Sequence, residues 1–493
     1  VSDVPLGDSS VVLYPGSWNG QTLTLASCDG DSIVIDSVTN NPAGLHIYYI
    51  MNDPSTTTGI LNYTSGNHFY GAHTVNGTSP QFDINHFYTN HSLVLAGDEE
   101  DLVLLTKNNN SSSPWNTSAS LTNTGNSVVT LNGQSSELFI LDKYQVVWTG
   151  TTSTDWATGS NWSTGVVPPA GASILVPNVT NQPTLDQNRT IGSFTLNVGA
   201  TADLNGFELT LTRSLTHDGS IQSNGGTLDF NGSADGQFIY ANTTLDIDNL
   251  TIDNSNDVTL SAGSINLIGT LDLVNGTFNT NNSITLISDA LGTARIAEIV
   301  GGSISGDITM QRYIDAGSTD WRFITSAVSG ATLADMNDDF ITSGFTGSDW
   351  PLWPTAANPW PSIYFYDETV GGTQDNGFNA ATNITNSIAT GEGLWVWSGD
   401  TITGTQPFTI DMTGPPHTGS ISLPMTYTNS GLPSEDGWNM VGNPYPSTLD
   451  WDDPSIAKTN INNAIYIWNP DLQQFGSYVG CLLYTSPSPR DRS

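Results

Sequence analysis

Short apolar stretches alternate with polar turns through the first 145 residues of the chain. Clusters of Gly, Asn and Ser separate stretches such as residues 32–36, 44–50, 101–105 and 136–141. Strands of this length between turn residues are typical of antiparallel sandwiches, in which each sheet buries one face. The pattern therefore predicts a β-sandwich module over residues 1–145.

A different pattern covers residues 170–310, where apolar pairs or triplets recur about every 18 to 19 residues, close to one turn of a solenoid. Gly and Asn tolerate φ > 0, so they suit the corners of such turns. Corners of this type stand at residues 205–206, 224–226, 231–232 and 275–276. We predict β-solenoid-like repeats, with a meander of hairpins as the alternative because Asn-Gly also favours hairpin turns.

Aromatic residues are concentrated on both sides of these repeats. Residues 146–169 form a connector rich in Trp, Gly, Ser and Thr. Residues 311–480 hold nine of the 14 tryptophans and show no repeat. Aromatic side chains alternate with aliphatic ones in stretches such as 393–398, as in strands with two different faces. We predict an aromatic-rich β-sandwich or jelly roll over residues 311–480.

The composition agrees with an all-β fold made of a β-sandwich, a β-solenoid-like region and a second β-sandwich. Of the 47 acidic residues 39 are Asp, whereas the helix formers Glu and Lys are scarce. The formal net charge of −37 repels phosphates, so nucleic acid is excluded as an expected partner. No apolar run approaches the roughly 18 residues that span a bilayer, so we expect no direct membrane insertion.

The two ends of the sequence suggest a fragment. Residues 481–493 break the composition abruptly and hold two of the seven arginines, so we interpret them as a sequencing artefact. The chain starts at Val1 and shows no charged and then apolar signal sequence. We therefore expect either a piece of a longer protein or a mature secreted product.

Enzyme signatures are absent from the sequence. It contains no G-x-x-x-x-G-K, H-E-x-x-H, G-x-S-x-G or C-x-x-C motif. Within residues 170–310 the cations are Arg189, Arg213 and Arg295, which is little charge for the acidic substrate of a polysaccharide lyase. Asp246 and Asp248 share one strand face, and we expect that face to be solvated. We predict a protein without catalytic residues and without a catalytic cofactor.

Histidines are clustered near the N-terminus. Five of the seven lie between positions 46 and 91: His46, His68, His73, His86 and His91. Imidazoles together with a carboxylate can bind zinc. Two pairs are five residues apart, however, and that spacing puts the members of a pair on opposite strand faces. We expect packing or surface histidines, with a zinc site as the alternative.

Clustered oxygen side chains make calcium the metal that the sequence favours. One cluster contains Asp253 and Asp257, and another contains Asp335, Asn337 and Asp339. Such hard oxygen ligands are those that Ca²⁺ prefers. In a chain with 39 Asp, clusters also arise by chance. A structural calcium site and fortuitous clustering both remain as interpretations.

Three tryptophans, Trp350, Trp353 and Trp360, lie among prolines in a short segment. Exposed indole rings can stack on the C–H faces of sugar rings, so these residues are the candidate glycan-binding site. The alternative is that they cap a sandwich core, with the prolines stiffening the loop.

The segment 437–447, GWNMVGNPYPS, is followed by Asp450 and Trp451. It resembles a GWNLVGNPYPS-type motif of large secreted Bacteroidetes proteins, in which the motif usually precedes a type IX secretion sorting domain. Residues 148–168 are similar to a repeat entry in the same proteins, and residues 69–141 resemble another of their modules. The resemblance implies a cell-surface or released adhesin-like protein, and it supplies no catalytic residues.

These observations predict a non-catalytic, modular, adhesin-like or structural protein, located outside the cell or on its outer surface. Because the modules are linked in one chain, weak contacts from several of them would reinforce one another, since linkage raises the effective concentration of each binding module near its ligand. Glycans or other cell-surface molecules are the expected partners. The alternative is a carbohydrate-binding or carbohydrate-active extracellular protein that uses Trp350, Trp353 and Trp360.

Overall fold

A computed structural model of the chain describes residues 9–27, 30–52, 54–60, 68–89, 91, 99–108, 114–117, 120–135, 138–233, 236–315, 320–399, 406–479 and 482–483. Strands make up 45% and helices 4%, which confirms the all-β prediction. Over these ranges, no helix has the length and apolar character needed to cross a membrane. The chain divides into two compact units: unit 1 is residues 1–183, 190–200 and 211–216, and unit 2 is residues 184–189, 201–210 and 217–493.

Two antiparallel sheets form the predicted sandwich in unit 1. Their strands are β1 (Ser9–Leu13), β2 (Leu23–Ala26), β3 (Ser32–Asp36), β4 (Gly44–Ile50), β5 (Phe69–Val75), β6 (Phe82–Phe87), β7 (Leu102–Lys107), β8 (Asn116–Thr117), β9 (Leu121–Asn123), β10 (Val128–Gln134) and β11 (Leu138–Lys143). One sheet has the order β1-β4-β5-β11-β7-β8 and the other β2-β3-β6-β10-β9. Short 3-10 helices lie at Glu99–Asp101 and Thr124–Asn126. Alternate strand residues such as Ile35, Ile47 and Ile84 fill the core between the sheets.

Residues 174–310 form a β-solenoid of about six turns, which confirms the solenoid over the hairpin meander. After β12 (Val146–Val147) and a 3-10 helix at Gly159–Asn161, its strands are β13 (Ile174–Val176), β14 (Arg189–Ile191), β15 (Phe194–Leu196), β16 (Thr201–Asp203), β17 (Glu208–Leu211), β18 (Leu215–His217), β19 (Ser220–Gln222), β20 (Thr227–Phe230), β21 (Gln237–Ile247), β22 (Asn249–Asp253), β23 (Val258–Leu267), β24 (Thr270–Asn279), β25 (Ile284–Leu286), β26 (Arg295–Ile296), β27 (Gly302–Ser305) and β28 (Ile308–Ile314).

Successive solenoid turns pair in parallel. Paired residues are 19 to 26 positions apart, as in the pairs Ile265 with Ile284, Leu250 with Leu271 and Gly276 with Gly302. The predicted spacing of 18 to 19 residues is shorter than the observed distance between paired residues. The prediction treated apolar runs on different faces of one turn as if they belonged to successive turns. Each buried face stacks Leu and Ile on the same residue types of the next turn, so one continuous core stabilises turns that are too thin to fold alone.

Polar ladders explain much of the Asp and Asn content in this region. Asp253 accepts hydrogen bonds from Asn231 (3.2 Å) and from Asn275, which lie one turn to either side. Asn266 donates in the same way to Asp246, at 2.8 Å. The acidic residues therefore contribute to turn-to-turn pairing as well as to the surface charge.

Asp229 is a buried exception to these solvated ladders. Burial, and then the nearby carboxylates of Glu208 and Asp253, raise the pKa of Asp229 to about 6. Because this pKa lies above that of the unfolded chain, the folded state binds the proton more tightly, and stability falls as the pH rises from about 4 to about 6. We expect Asp229→Asn to raise the free energy of unfolding by about 1–3 kcal/mol near pH 7.5 and to leave it nearly unchanged near pH 4.

Urea unfolding at the two pH values, followed by circular dichroism, measures this difference. The partly exposed Asp272 provides the matched control, because Asp272→Asn removes the same charge from the solenoid. A gain for Asp229→Asn that is equal at both pH values would show that the effect is not due to ionisation.

Beyond the solenoid, smaller sheets are joined by long loops. The elements are β29 (Asp320–Ile324), α1 (Ala334–Asn337), β30 (Pro354–Thr355), β31 (Asn358–Pro359), β32 (Ile363–Tyr366), a 3-10 helix (Gln374–Gly377), β33 (Phe378–Ala380), β34 (Leu394–Ser398), β35 (Phe408–Gly414), β36 (Ala464–Asn469), β37 (Gln474–Val479) and β38 (Leu482–Leu483). Strand β35 pairs antiparallel with β28. The sheets β29-β34-β32-β33 and β36-β37-β38 are the sandwich-like part predicted for this region.

Candidate functional site

One face of the sheet β29-β34-β32-β33 is built from aromatic side chains. In β34, Leu394 and Val396 are buried, whereas the alternate residues Trp395 and Trp397 are partly exposed. A strand with one buried face requires this period of two. Strand β34 therefore presents Trp395 and Trp397 on the outer face of the sheet.

Strand pairing brings further rings onto the same face. Trp321 of β29 lies opposite Trp397, and Phe323 lies opposite Trp395. The rings of Trp321 and Trp395 are nearly parallel, at an interplanar angle of 2° and a centroid distance of 5.4 Å. Tyr364 of β32 adds a ring 5.8 Å from Trp321. We call these five residues the aromatic face.

The three predicted tryptophans lie beside this face. Trp360 is 39% exposed, and its ring meets those of Trp321 and Trp397 at centroid distances of 5.9 and 5.4 Å. Trp350 and Trp353 are 55% and 47% exposed, with their rings 6.2 Å apart. These exposures do not fit a role in capping a core. Trp360 thus extends the aromatic face, while Trp350 and Trp353 form a separate exposed pair.

Charged groups of β29 occupy the opposite side of the sheet. Arg322 donates from Nη1 to Ser398 Oγ (3.0 Å) and to the carbonyl of Asp320 (3.3 Å). Burial lowers the pKa of this guanidinium, although Asp320 and Asp471 partly offset the effect. Asp320 itself accepts from Gln473, at 3.2 Å. The charged side chains of this strand therefore form hydrogen bonds on the side of the sheet away from the aromatic rings.

A hairpin packs against one end of the aromatic face. Trp468 of β36 lies 5.3 Å from Trp395, and Phe475 of β37 lies 6.1 Å from Phe323, in both cases between ring centroids. The other end, where Trp360 meets the sheet, stays partly exposed. It offers flat apolar rings with indole N–H groups at their edges, an arrangement that can stack on a ligand and hydrogen-bond its rim.

The predicted calcium ligands each accept a hydrogen bond from a neighbouring segment. Asp257 accepts from the Thr277 amide (2.7 Å), Asp335 from the Thr332 amide (2.7 Å), Asn337 from the Thr342 hydroxyl and Asp339 from the Asp411 amide (2.8 Å). Burial, then Asp411, Asp338 and Asp335, raise the pKa of Asp339 to about 6. Calcium binding by these residues stays a prediction.

The clustered histidines are packed inside unit 1. His46, His68, His86 and His91 are buried, as expected for packing residues. Within the described parts of the chain, three or more His, Cys, Asp or Glu side chains converge to within 4.8 Å only at Asp31, His68 and His91. Counting residues along strands did not predict this convergence.

Comparison with known proteins adds one family. Residues 231–479, about half of the chain, match the family model described as "Domain of unknown function (DUF8693)". No curated protein and no solved structure matches the chain. The aromatic face lies within the matched residues, and the histidine cluster lies outside them.

Proposed function

We propose, for a chain that belongs to the family described as "Domain of unknown function (DUF8693)", a role as a non-catalytic, adhesin-like protein that binds carbohydrate through its aromatic face. The observation that carries the proposal is the set of cross-strand aromatic rings that stays partly exposed on one sheet. Contiguous exposed apolar surface of this kind usually marks a binding site in a folded protein.

Carbohydrate fits this surface better than other ligand classes. A pyranose ring has one face of C–H groups, which packs on a flat indole, and a rim of hydroxyls, which hydrogen-bond to polar edges. Trp321 and Trp395 present stacked rings, and Trp360 stands edge-on beside them. This mixture of flat and tilted rings suits a neutral sugar unit held against the sheet and flanked on one side.

The net charge of the protein restricts the class of expected ligands further. With a net charge of −37, the surface repels sulfated and carboxylated glycans and nucleic acids over long distances. The nearest cation of the sheet, Arg322, is hydrogen-bonded on the opposite side. We therefore expect a neutral glycan to be the preferred ligand.

Binding without catalysis is supported by the position of the Asp320 carboxylate, on the side of the sheet opposite the aromatic rings. Glycoside hydrolysis uses two carboxyl groups about 5–9.5 Å apart across the sugar. Asp320 accepts hydrogen bonds from Gln473 (3.2 Å) and from the Trp321 amide (2.7 Å), so it is held within the sheet. We assign no catalytic residue to this site.

A glycan array probed with the labelled full-length chain tests the proposal. We expect neutral glycans to bind and acidic ones to bind more weakly. Trp360→Ala should reduce binding at least about tenfold, because it removes a partly exposed ring that touches the face. Trp451→Ala serves as the matched control, since it removes an indole elsewhere in unit 2. Equal binding by both variants would contradict the assignment of the site.

A reducing-sugar assay on the glycans that bind separates the proposal from its alternative. A carbohydrate-active enzyme would release reducing ends, whereas the proposed binding protein releases none. The extracellular or outer-surface location stays a prediction, and labelling intact cells with an antibody against the chain would test it.

A further inference from the structure

The sandwich of unit 1 buries a carboxylate among imidazoles. Asp31, directly before strand β3, is 0% exposed. Its Oδ1 accepts a hydrogen bond from the Thr89 amide at 2.9 Å, which fixes the direction of the carboxylate. A carboxylate removed from water needs a compensating positive charge nearby, because its desolvation is costly.

Three imidazoles lie around the carboxylate of Asp31. His86 Nε2 lies 3.2 Å from Asp31 Oδ2, and His68 Nε2 lies 4.0 Å from the same atom. A ring nitrogen of His91 completes a set in which Asp31, His68 and His91 have their ligand atoms within 4.8 Å of one another. The histidines are 1% to 8% exposed, so the cluster is closed to solvent.

The fold explains why residues distant in sequence meet here. Strands β3 and β6 are neighbours, and Ile33 pairs with His86. His68 directly precedes β5, which belongs to the other sheet. Strand β6 ends at Phe87, so the strand alternation that would separate His86 from His91 does not continue to position 91. Groups from both sheets therefore converge at one end of the sandwich.

The atoms fit the coordination chemistry of a transition metal. Tetrahedral Zn²⁺ with bonds of 2.0–2.1 Å places its ligand atoms about 3.3 Å apart. The distance between His86 Nε2 and Asp31 Oδ2 is close to this value, at 3.2 Å. The ligand atoms of Asp31, His68 and His91 lie within 4.8 Å of one another, and His86 is not in that group, so the histidine rings have to move closer together when a metal binds. His86 Nδ1 has no hydrogen-bond partner within the described residues, so no such bond opposes a small rotation of its ring.

Aromatic rings form the outer shell of the cluster. Tyr49 lies 4.9 Å from His68, and Tyr70 lies 5.3 Å from His86, between ring centroids. Such packing excludes water and limits the rotamers of the histidines, as the surroundings of a structural metal site do. Three nitrogens and one oxygen would fill a tetrahedron and leave no position for a substrate.

We propose that Asp31, His68, His86 and His91 form a structural site for a divalent transition metal, with Zn²⁺ as the expected ion. The metal links the two sheets of the sandwich, because His68 adjoins one sheet and the other ligands adjoin or belong to the second. This site is independent of carbohydrate binding, since it lies in unit 1.

Cobalt spectroscopy on the full-length, chelator-treated chain tests the site without any substitution. One equivalent of Co²⁺ should give the intense visible absorption of a tetrahedral site, and Zn²⁺ should displace it. Exposed carboxylates would give only the weak spectrum of octahedral Co²⁺. That spectrum alone would overturn the proposal.

Two variants and one control locate the ion. We expect His86→Gln and His91→Gln to lower Zn²⁺ affinity in calorimetry at least about tenfold, as removing a ligand does. His73→Gln, in the same sandwich but outside the cluster, should retain the affinity. Zn²⁺ should raise the melting temperature of the wild-type chain by about 5 °C and that of His86→Gln by much less. Unchanged Zn²⁺ binding in both cluster variants would overturn the assignment.

Discussion

Replacing Trp162 by alanine should lower the free energy of unfolding of unit 1 by about 3–5 kcal/mol, the range for a buried tryptophan. Trp148, Trp156 and Trp162 are at most 2% exposed and form one cluster, in which the Trp162 ring lies 4.8 and 4.7 Å from the other two centroids. The indole of Trp162 also donates to the Trp156 carbonyl, at 2.9 Å. Alanine would leave a cavity and an unpaired carbonyl.

Urea unfolding followed by far-ultraviolet circular dichroism measures this loss without relying on tryptophan fluorescence. Trp350→Ala is the matched control, because that ring is 55% exposed. Its cost should stay below about 1 kcal/mol. Similar losses in both variants would contradict the role of the Trp148–Trp156–Trp162 cluster as the core of this segment.

The second large effect concerns close contact between solenoid turns. Gly263 has φ = +75°, and a Cβ added there would overlap the backbone oxygen of Ala241 on the neighbouring turn. We expect Gly263→Ala to cost about 3–5 kcal/mol, because left-handed strain and a backbone clash add together. The backbone cannot move away easily, since Ala241 belongs to the parallel ladder with Gly263.

A substitution at Gly225 distinguishes the left-handed backbone strain from the steric clash. It has φ = +85°, but a Cβ built there meets nothing within 4 Å. Gly225→Ala should therefore cost only the left-handed strain of about 1–2 kcal/mol. Equal unfolding free energies for the two alanine variants, measured by urea titration, would show that the turns are not held as close together as described.

The solenoid was predictable because its signals are local. Residues 205–206 and 224–225 have positive φ, as their Asn-Gly sequences predict, and so does Gly276 within β24, whereas residues 231–232 do not. The number of residues in one turn was harder to predict, because apolar runs on different faces of a turn look alike in sequence. Parallel pairing over 19 to 26 residues depends on how the turns stack on one another, and the sequence of a single turn does not encode it.

The candidate sites were predictable only in part. The alternation at residues 393–398 indicates a strand, but it does not reveal that Trp321 lies opposite Trp397. The exposure of Trp350, Trp353 and Trp360 follows from a hairpin whose packing is not encoded in the spacing of those residues. For both sites the missing information is long-range pairing.

The same lack of long-range pairing information explains why the sequence did not predict the histidine cluster. Their spacing of five residues argues against a shared site only while the chain stays in one strand, and β6 ends at Phe87. The carboxylate of Asp31, which lies directly before β3, is distant from the histidines in sequence, so its contact with them depends on the pairing of β3 with β6.

Calorimetry with the best-binding neutral glycan, on the wild-type chain and on Trp360→Ala, measures whether the aromatic face binds carbohydrate. We expect binding to the wild-type chain, a loss of at least about tenfold in Trp360→Ala and full retention in Trp451→Ala. Circular dichroism of the three proteins should be the same. Undiminished affinity in a correctly folded Trp360→Ala chain would contradict the claim that the aromatic face is the carbohydrate-binding site.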